Sequence, residues 1–309
     1  KVPGVKKVLQ VSSGVAVFAE DTWSAFNGRQ ALKVQWEEGP AAKLDSAAIR
    51  KQFEARLATP GKVVRKEGDA SAALGTAAKL IKATYDAPFL AHATMEPINC
   101  TVQFRDGAAS VWTSTQVPGL ARMAAAKALG IDEDKVTVHQ LLLGGGFGRR
   151  LEVDYVAQAA AIAKAAGGAP VQTLWSREQD MQHDFYRPAC VARFKAGLDA
   201  QGQLVAWHNV SAGQAIVPQV LSRTFGLPGA GPDKTASEGA FDQPYEWPHA
   251  RIAHEIIDLP LPVGFWRSVG HSHQAFFKES FVDEAAHAAK KDPVAFRAAL
   301  LQKHPRHLK

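Results

Sequence analysis

The amino-acid sequence predicts an α+β protein in which strands and helices are joined by much irregular chain. Three observations support this class. Short runs rich in β-branched residues, such as VKKVLQV and INCTVQF, are typical of strands. Longer Ala-rich runs, such as VDYVAQAAAIAKAA, are typical of helices. Pro and Gly interrupt both patterns, and no fixed-period repeat indicates a solenoid.

Composition narrows the class of protein. With 309 residues, 46% hydrophobic and 21% charged, the chain can bury a sizeable globular core. Its net charge of +6 is spread along the sequence without an aromatic-interleaved basic segment, which disfavours nucleic acid as a partner. No run approaches the ~18 apolar residues of a membrane span. The start, KVPGVKKVLQ, has no Met and no apolar signal core, so we expect it to be internal.

The two cysteines disfavour a protein-borne metal cluster. Cys100 and Cys190 are far apart and have no neighbouring Cys or paired His, which excludes a CxxC-type zinc or iron–sulfur site made by this chain alone. We expect both thiols to be small buried apolar groups.

The first part of the chain predicts a small unit followed by a connector. In residues 5–38, two strands and the helix TWSAFNGRQAL precede a third strand, LKVQWEE. Residues 39–84 are rich in Ala, Lys and Glu and contain Pro40 and Pro60. This composition predicts a connector with a short helix near residues 46–56.

A denser region follows. Strands INCTVQF and AASVWTS flank Asp106-Gly107, a strong hairpin signal. A helix is predicted over residues 116–130, ending at Gly130. The strand KVTVHQLLL then runs into the glycines at 144–146, and an Ala-rich helix beginning at RRLEVDY follows. Beyond it we predict the strand VQTLWSR, two β runs around residues 199–202, a Gly/Pro-rich loop over 226–233, and helices over 279–298.

The sharpest feature is the loop GGGFGRR at residues 144–150. Glycines let backbone N–H groups approach a ligand without Cβ interference, and a helix start would add partial positive charge. Arg149 and Arg150 could add donors to a phosphate. A P-loop needs Gly-Lys-Ser/Thr, and a dinucleotide fingerprint needs a glycine where Arg149 stands, so both are disfavoured. A merely tight strand-to-helix turn remains the alternative.

Three motifs in order carry a family resemblance. STQ at residues 114–116, GGGFG about thirty positions later, and FWRSVGHSHQAFFKESFVDEAA from Phe265 together resemble the large subunit of xanthine dehydrogenase/aldehyde oxidase enzymes. AHATMEP, GGGFGRR and FWRSVGHSH are most similar to the isoquinoline 1-oxidoreductase and bacterial aldehyde dehydrogenase branch. The resemblance covers nearly the whole chain.

The resemblance implies a set of cofactor-contacting residues. In the family, the Gln of STQ, the Phe of GGGFG and the Arg of an FRG-type turn contact a molybdenum-pterin centre. Carried over by motif, the cofactor-binding residues are Gln116, Gly145, Gly146, Phe147, Gly148 and Arg267. Taken singly, Gln116 could merely cap the following helix, and Arg267 could form a surface ion pair.

The histidines invite a different interpretation. His271 and His273, spaced i and i+2, would face one side of a strand, but no third ligand is evident, and His92 stands alone. The resemblance implies that pterin sulfurs, rather than protein side chains, hold the metal. We therefore assign no metal ligands.

The resemblance also implies a function and its cofactors. We expect hydroxylation of an N-heteroaromatic compound or oxidation of an aldehyde, with oxygen derived from water. The implied cofactor is a molybdenum-pterin dinucleotide in its cytosine form. Electrons would leave through a small subunit carrying two [2Fe–2S] clusters, with a cytochrome c as a further acceptor. Exported members of related branches make the periplasm the expected location, with the cytoplasm as the alternative.

Two departures qualify this expectation. Where xanthine-oxidising members carry a Glu after the loop, this chain has Leu151, with Glu152 next to it. Their substrate-binding Arg is absent from the stretch at residues 237–239, so purines are poor candidates.

The third departure concerns the catalytic base. The family's general base, a Glu in a GVGE-like motif, is expected beyond Lys309, so no catalytic residue is assigned here and the fragment alone should be inactive. The alternative is a non-catalytic or split subunit completed by another chain.

The implied domain organisation has three parts. Residues 1–38 would be the end of a small hammerhead-like α/β domain, and residues 39–84 a connector. Residues 85–309 would form the first molybdenum-pterin-binding domain, with the second one absent.

Overall fold

The computed structural model of the chain describes residues 1–229 and 233–309. Its strands are β1 (Val5–Val11), β2 (Gly14–Ala19), β3 (Lys62–Glu67), β4 (Lys79–Ala87), β5 (Asn99–Arg105), β6 (Ala108–Thr113), β7 (Val136–Gln140), β8 (Val171–Leu174), β9 (Cys190–Leu198), β10 (Leu204–Gly213) and β11 (Ala250–Ile256). Its α-helices are α1 (Thr22–Gln30), α2 (Ser46–Arg56), α3 (Ala70–Gly75), α4 (Pro118–Leu129), α5 (Asp154–Lys164), α6 (Arg177–Gln182), α7 (Val217–Phe225), α8 (His271–Ala288), α9 (Pro293–Ala299) and α10 (Pro305–Leu308).

The chain forms two compact units, and neither is continuous in sequence. Unit 1 comprises residues 1–39 and 92–184, and unit 2 comprises residues 40–91 and 185–309. Both combine helices with sheets, which confirms the predicted α+β class. These units are defined by spatial contacts and do not test the domain boundaries predicted near residues 38 and 84, which stay a prediction.

Unit 1 is built on a four-stranded sheet in the order β7-β6-β5-β8. Strands β6 and β7 are parallel, whereas β5 pairs antiparallel with β6 and β8. Helices α4 and α5 pack together, and their small alanines form a close-packed core with strand residues such as Val102 and Val111. Strands β1 and β2 form a separate hairpin that contacts α1.

Unit 2 is built on a five-stranded sheet in the order β3-β11-β10-β9-β4. Only β10 and β11 are parallel. An aromatic cluster with Phe194, Trp207, Phe277 and Phe281 joins the sheet to α8, and the rings of Trp207 and Trp247 stack 4.2 Å apart. Burial of such large side chains provides much of the stability of a domain of this size.

Local sequence signals predicted several elements. Asp106 and Gly107 both have positive φ, as a tight hairpin turn requires, and Gly130 ends α4 in the left-handed conformation with φ of 74°. Helix α2 occupies the predicted position.

Other expectations were wrong. The run LKVQWEE forms no strand, and the segment predicted as a connector contributes β3 and most of β4. In the predicted Gly/Pro-rich loop over residues 226–233, positions 230–232 lie outside the described residues.

Over residues 1–229 and 233–309, no helix is both long and apolar enough to cross a membrane.

Candidate functional site

The glycine loop follows β7 in unit 1 and has an unusual backbone. Gly145 and Gly148 have φ of 103° and 113°, values that side chains rarely allow. Phe147 lies in the left-handed region with φ of 54° although it carries a side chain, and its ring is 44% exposed. Such conformations persist only where the surroundings impose them, and they concentrate at functional sites.

Gln116 and the loop come together within unit 1. The Gln116 Oε1 accepts a hydrogen bond from the Gly148 N–H at 3.1 Å. A Cβ at position 146 would lie 2.6 Å from that same oxygen, so only glycine allows this approach. The backbone N–H of Gln116 donates to the Arg150 carbonyl at 3.0 Å. Gln116 thus contacts the second half of the loop through both its side chain and its backbone, and it does not act as a side-chain cap for α4.

Arg150 connects the loop to neighbouring parts of unit 1, and we call Arg150 and its partner Glu96 the frame of the site. Its guanidinium is fully buried and donates to the carbonyls of Gly145, Ser114 and Glu96 at 3.0 to 3.1 Å. It also pairs with the Glu96 carboxylate at 3.2 Å. One side chain therefore fixes the loop, the STQ motif and the AHATMEP motif relative to one another.

Glu96 completes this frame. Its carboxylate accepts hydrogen bonds from the Gly144 N–H at 2.7 Å and from the Asn99 amide at 2.8 Å. Burial would raise the pKa of Glu96, but these bonds and the charge of Arg150 outweigh it and lower the pKa. The carboxylate is therefore ionised and engaged, which makes it a poor proton acceptor.

Arg149 belongs to a second buried network. Its guanidinium pairs bidentately with Asp154 at 2.9 Å and lies 3.2 Å from Asp184. Asp184 in turn contacts the His92 ring at 2.9 Å. Burial would raise the pKa of Asp184, yet the hydrogen bonds from His92 and the charge of Arg149 lower it.

These contacts correct the expectation that the two arginines would reach a phosphate. Both side chains are buried and bind carboxylates and carbonyls of unit 1. The expected helix start at the loop is also wrong, because residues Arg149–Leu151 form a 3-10 turn and α5 begins only at Asp154. A positive helix end therefore contributes nothing to the loop itself.

The loop nevertheless presents donors to a ligand. Within the described part of the chain, the backbone N–H groups of Gly145, Gly146 and Phe147 have no protein acceptor, and neither has the side-chain amide nitrogen of Gln116. Gln116 and Phe147 are exposed. Neutral donors around a cradle without Cβ atoms suit a ligand rich in oxygen acceptors, and they therefore fit a molybdenum-pterin group.

The predicted Arg267 belongs to unit 2, whereas Gln116 and residues 145–148 belong to unit 1 and come together there. Its side chain is exposed, which leaves its guanidinium available. The next two residues, Ser268 and Val269, have φ of 70° and 47°. A β-branched residue in this region is strained, which marks the turn as a constrained one.

The histidines do not form a metal site as a pair. His271 and His273 lie in the first turn of α8, not on a strand, so the two side chains point in different directions. His271 is exposed and pairs with Asp242 at 3.3 Å, whereas His273 is buried. Across residues 1–229 and 233–309, no group of three or more His, Cys, Asp or Glu side chains could hold a metal ion.

Sequence analysis missed Glu96 and Arg150 as the frame of the site. The motif AHATMEP, which contains Glu96, carried part of the family resemblance and was the available signal. Nothing in the local pattern indicates that Arg150 is buried, since arginine is mostly a surface residue.

Known proteins of similar sequence point to one family. A sequence model of the molybdopterin cofactor-binding domain matches residues 55–300. The membrane-bound aldehyde dehydrogenase [pyrroloquinoline-quinone] of Gluconacetobacter polyoxogenes is 31% identical over 94% of this chain and 38% of its own length. The isoquinoline 1-oxidoreductase subunit beta of Brevundimonas diminuta is 30% identical over 99% of this chain and 40% of its own length. The chain thus spans about 40% of the length of these relatives.

Solved structures agree on the fold. The aldehyde oxidoreductase from Desulfovibrio gigas superposes with a TM-score of 0.70 at 21% identity, covering 92% of this chain and 31% of that one. Quinoline 2-oxidoreductase from Pseudomonas putida 86 gives 0.69 at 19% identity, covering 96% and 43%. The predicted resemblance is confirmed: the chain belongs to the molybdopterin cofactor-binding domain family.

Proposed function

We propose that this chain is part of the large subunit of a molybdenum hydroxylase that oxidises an N-heteroaromatic compound or an aldehyde with water-derived oxygen. The observation that carries the proposal is the arrangement of Gln116 and the glycine loop, in which the N–H groups of residues 145–147 have no acceptor among the described residues. Membership of the molybdopterin-binding family supplies the cofactor class.

Each loop residue has a distinct role in this proposal. The Gln116 amide nitrogen and the N–H groups of Gly145 and Gly146 would donate to acceptor atoms of the pterin group. The exposed Phe147 ring would exclude water from part of the site. Gly148, whose N–H is already used by Gln116, keeps that side chain in place. Arg267 in unit 2 offers a guanidinium to an anionic or carbonyl partner.

When bound, the molybdenum-pterin group would supply the two-electron redox chemistry of the oxidation. The chain's own residues bind and orient it. Glu96, which is tied to Arg150, does not suit the role of general base. We assign that role to the Glu of a GVGE-like motif, as the family resemblance implies.

The family resemblance supports a proposal for the cofactor form and the assembly. On that ground we assign the cytosine dinucleotide form of the cofactor, a small subunit with [2Fe–2S] clusters, and a cytochrome c as acceptor. The Brevundimonas relative is named as a subunit beta, which supports a multi-subunit enzyme. The names of the two relatives refer to an aldehyde and to isoquinoline, and Leu151 lies beside the loop. Both observations favour weakly polar substrates over purines. We place the protein in the periplasm on the family resemblance alone.

Metal and pterin analysis of the purified full-length protein tests the proposal. Wild-type protein should contain molybdenum and pterin in equal amounts, and the double variant Gln116→Ala/Arg267→Ala should lose both. The surface variant Arg56→Gln serves as the control and should retain them. Full cofactor content with unchanged turnover in the double variant would contradict the site. The name of the Gluconacetobacter relative includes pyrroloquinoline quinone. Purified protein that contains this quinone and no molybdenum would contradict the proposed cofactor class.

A further inference from the structure

In the part of the chain that the structure describes, Arg187 of unit 2 is a partly buried cation without a counter-ion. Its guanidinium donates from one terminal nitrogen to the Pro88 carbonyl at 2.7 Å. Its Nε is buried and has no hydrogen-bond partner among the described residues. Within residues 1–229 and 233–309, no carboxylate lies within 4.0 Å of it, in contrast to Arg297, which pairs with Glu279 and Asp283. Burial lowers the pKa of Arg187, as expected for a charge without a partner.

Two nearby side chains also carry nitrogen atoms without a partner among the described residues. The guanidinium lies 5.9 Å from the centroid of the Trp266 ring, whose buried Nε1–H has no acceptor there. His273 is 5% exposed, and its Nδ1 likewise has no partner in that part of the chain. Burial, with the nearby charge of Arg187 and then His254, lowers the pKa of His273 to about 3. His273 is therefore neutral, and its tautomer can place a proton on Nδ1.

The neighbouring groups do not neutralise Arg187. Burial raises the pKa of the adjacent Cys190 thiol to about 12, so this group stays uncharged. Asp233, which interacts with His254, is already bonded to the backbone N–H groups of Ile216 and Val217. On the exposed side of α8, Asp242 pairs with His271.

Unsatisfied buried donors cost about 1–3 kcal/mol each, and a desolvated charge costs more. Water could satisfy the donors but not the charge. An anion with several oxygen atoms would satisfy both, because a guanidinium, an indole N–H and an imidazole N–H all donate. We propose that Arg187, Trp266 and His273 form a binding site for a tetrahedral oxyanion of the phosphate class, built from none of the predicted cofactor-binding residues.

Calorimetric titration of the full-length protein with inorganic phosphate tests this site. Wild-type protein should bind one phosphate per chain saturably. Arg187→Gln should weaken binding at least tenfold, and Trp266→Phe, which removes one N–H and keeps the ring, should weaken it several-fold. Arg56→Gln, which removes an exposed positive charge from the same unit, should leave the affinity within twofold of wild type. Circular dichroism and urea unfolding check that each variant folds.

A comparison of two ligands then identifies the source of the anion. Methyl phosphate binding as tightly as inorganic phosphate indicates a phosphate ester, whereas clearly weaker binding indicates the free ion. Absence of saturable binding of either ligand to wild-type protein overturns the proposal. Unchanged affinity in a folded Arg187→Gln or Trp266→Phe variant overturns it as well. Because the readout is anion affinity, these outcomes leave the test by molybdenum content unaffected.

Discussion

The Oε1 atom of Gln116 accepts a 3.1 Å hydrogen bond from the backbone N–H of Gly148 and so connects this side chain to the glycine loop. The bond uses the side-chain oxygen of Gln116 and leaves the N–H groups of its amide available. A residue 32 positions upstream therefore sets both the shape of the loop and its hydrogen-bonding character. Four predictions follow from the site and its surroundings.

Gly146→Ala should disrupt this arrangement. The new Cβ would lie 2.6 Å from Gln116 Oε1, so the amide must move and its bond to Gly148 is lost. We expect molybdenum-pterin content to fall at least several-fold, with a loss of about 1 kcal/mol in stability. Gly119→Ala is the matched control, because nothing lies within 4 Å of that position in α4 and alanine favours helices by roughly 0.5–1 kcal/mol. Equal cofactor content in the Gly146 variant and wild type would argue against the cradle.

Gln116→Glu tests the acceptor and the donor of this side chain separately, because it keeps the acceptor and removes the donor. The carboxylate can still accept from the Gly148 N–H, so the unfolding midpoint should stay close to that of wild type. The side-chain donor is lost and a negative charge is added, and we expect cofactor content to fall sharply. Cofactor analysis together with thermal unfolding provides the measurement. A variant that keeps its cofactor would show that the Gln116 N–H is not used in binding.

Arg150→Ala should be strongly destabilising. The change leaves three carbonyls and the Glu96 carboxylate of the frame without their partner, and breaking a buried pair costs about 3–5 kcal/mol. Urea unfolding measures the loss. Arg122→Ala, which breaks an exposed 3.6 Å pair with Glu133, should cost less than about 1 kcal/mol. Similar losses in both variants would contradict the structural role of Arg150.

The buried histidine His254 should make the protein sensitive to mild acid. Burial lowers its folded-state pKa from 6.5 to about 4, and its Nδ1 lies 2.8 Å from the Ser211 hydroxyl. The unfolded chain binds a proton first, so the stability from the neutral ring is fully present above pH 6.5 and is lost as the pH falls towards 4. His254 contributes up to roughly 3 kcal/mol to this loss.

Urea unfolding between pH 4 and 7.5 checks this dependence. His254→Gln should show a shallower decline of stability with falling pH than wild type, whatever its stability at neutral pH. His287→Gln, at an exposed position of α8, should decline in parallel with wild type. Parallel declines in all three proteins would exclude His254 as the cause.

Local features of the fold were predictable from sequence because their causes are local. The Asp106-Gly107 turn and the Gly130 helix end depend on backbone conformations that few residues accept. The start of α5 was not predictable in the same way. The helix was predicted to begin at Arg149, yet the buried contacts of Arg149 and Arg150 hold residues 149–151 in a 3-10 turn.

For the candidate site, sequence motifs predicted the residues expected to contact the cofactor, but not the Glu96–Arg150 pair that holds them in place. Gln116 and residues 145–148 were predicted from the family resemblance, and the structure places them together, although their cofactor contacts stay a prediction. The Glu96–Arg150 pair joins residues 54 positions apart, and the interpretation of His271 and His273 depended on their lying in a helix. Contacts of this kind depend on tertiary packing, which periodicity does not encode.

The interrupted course of unit 2 has a consequence for synthesis on the ribosome. Strands β3 and β4 are made before all of unit 1's second segment, whereas their partners β11 and β9 follow it. At about 5–20 residues per second, the roughly 100 residues between β4 and β9 leave β4 without this partner for some 5–20 s, and β3 waits longer for β11. Exposed strand edges invite aggregation, and charged lysines oppose it. The lysines at positions 62, 66, 79 and 82 lie on these two strands, where they can protect the nascent chain until its partners emerge.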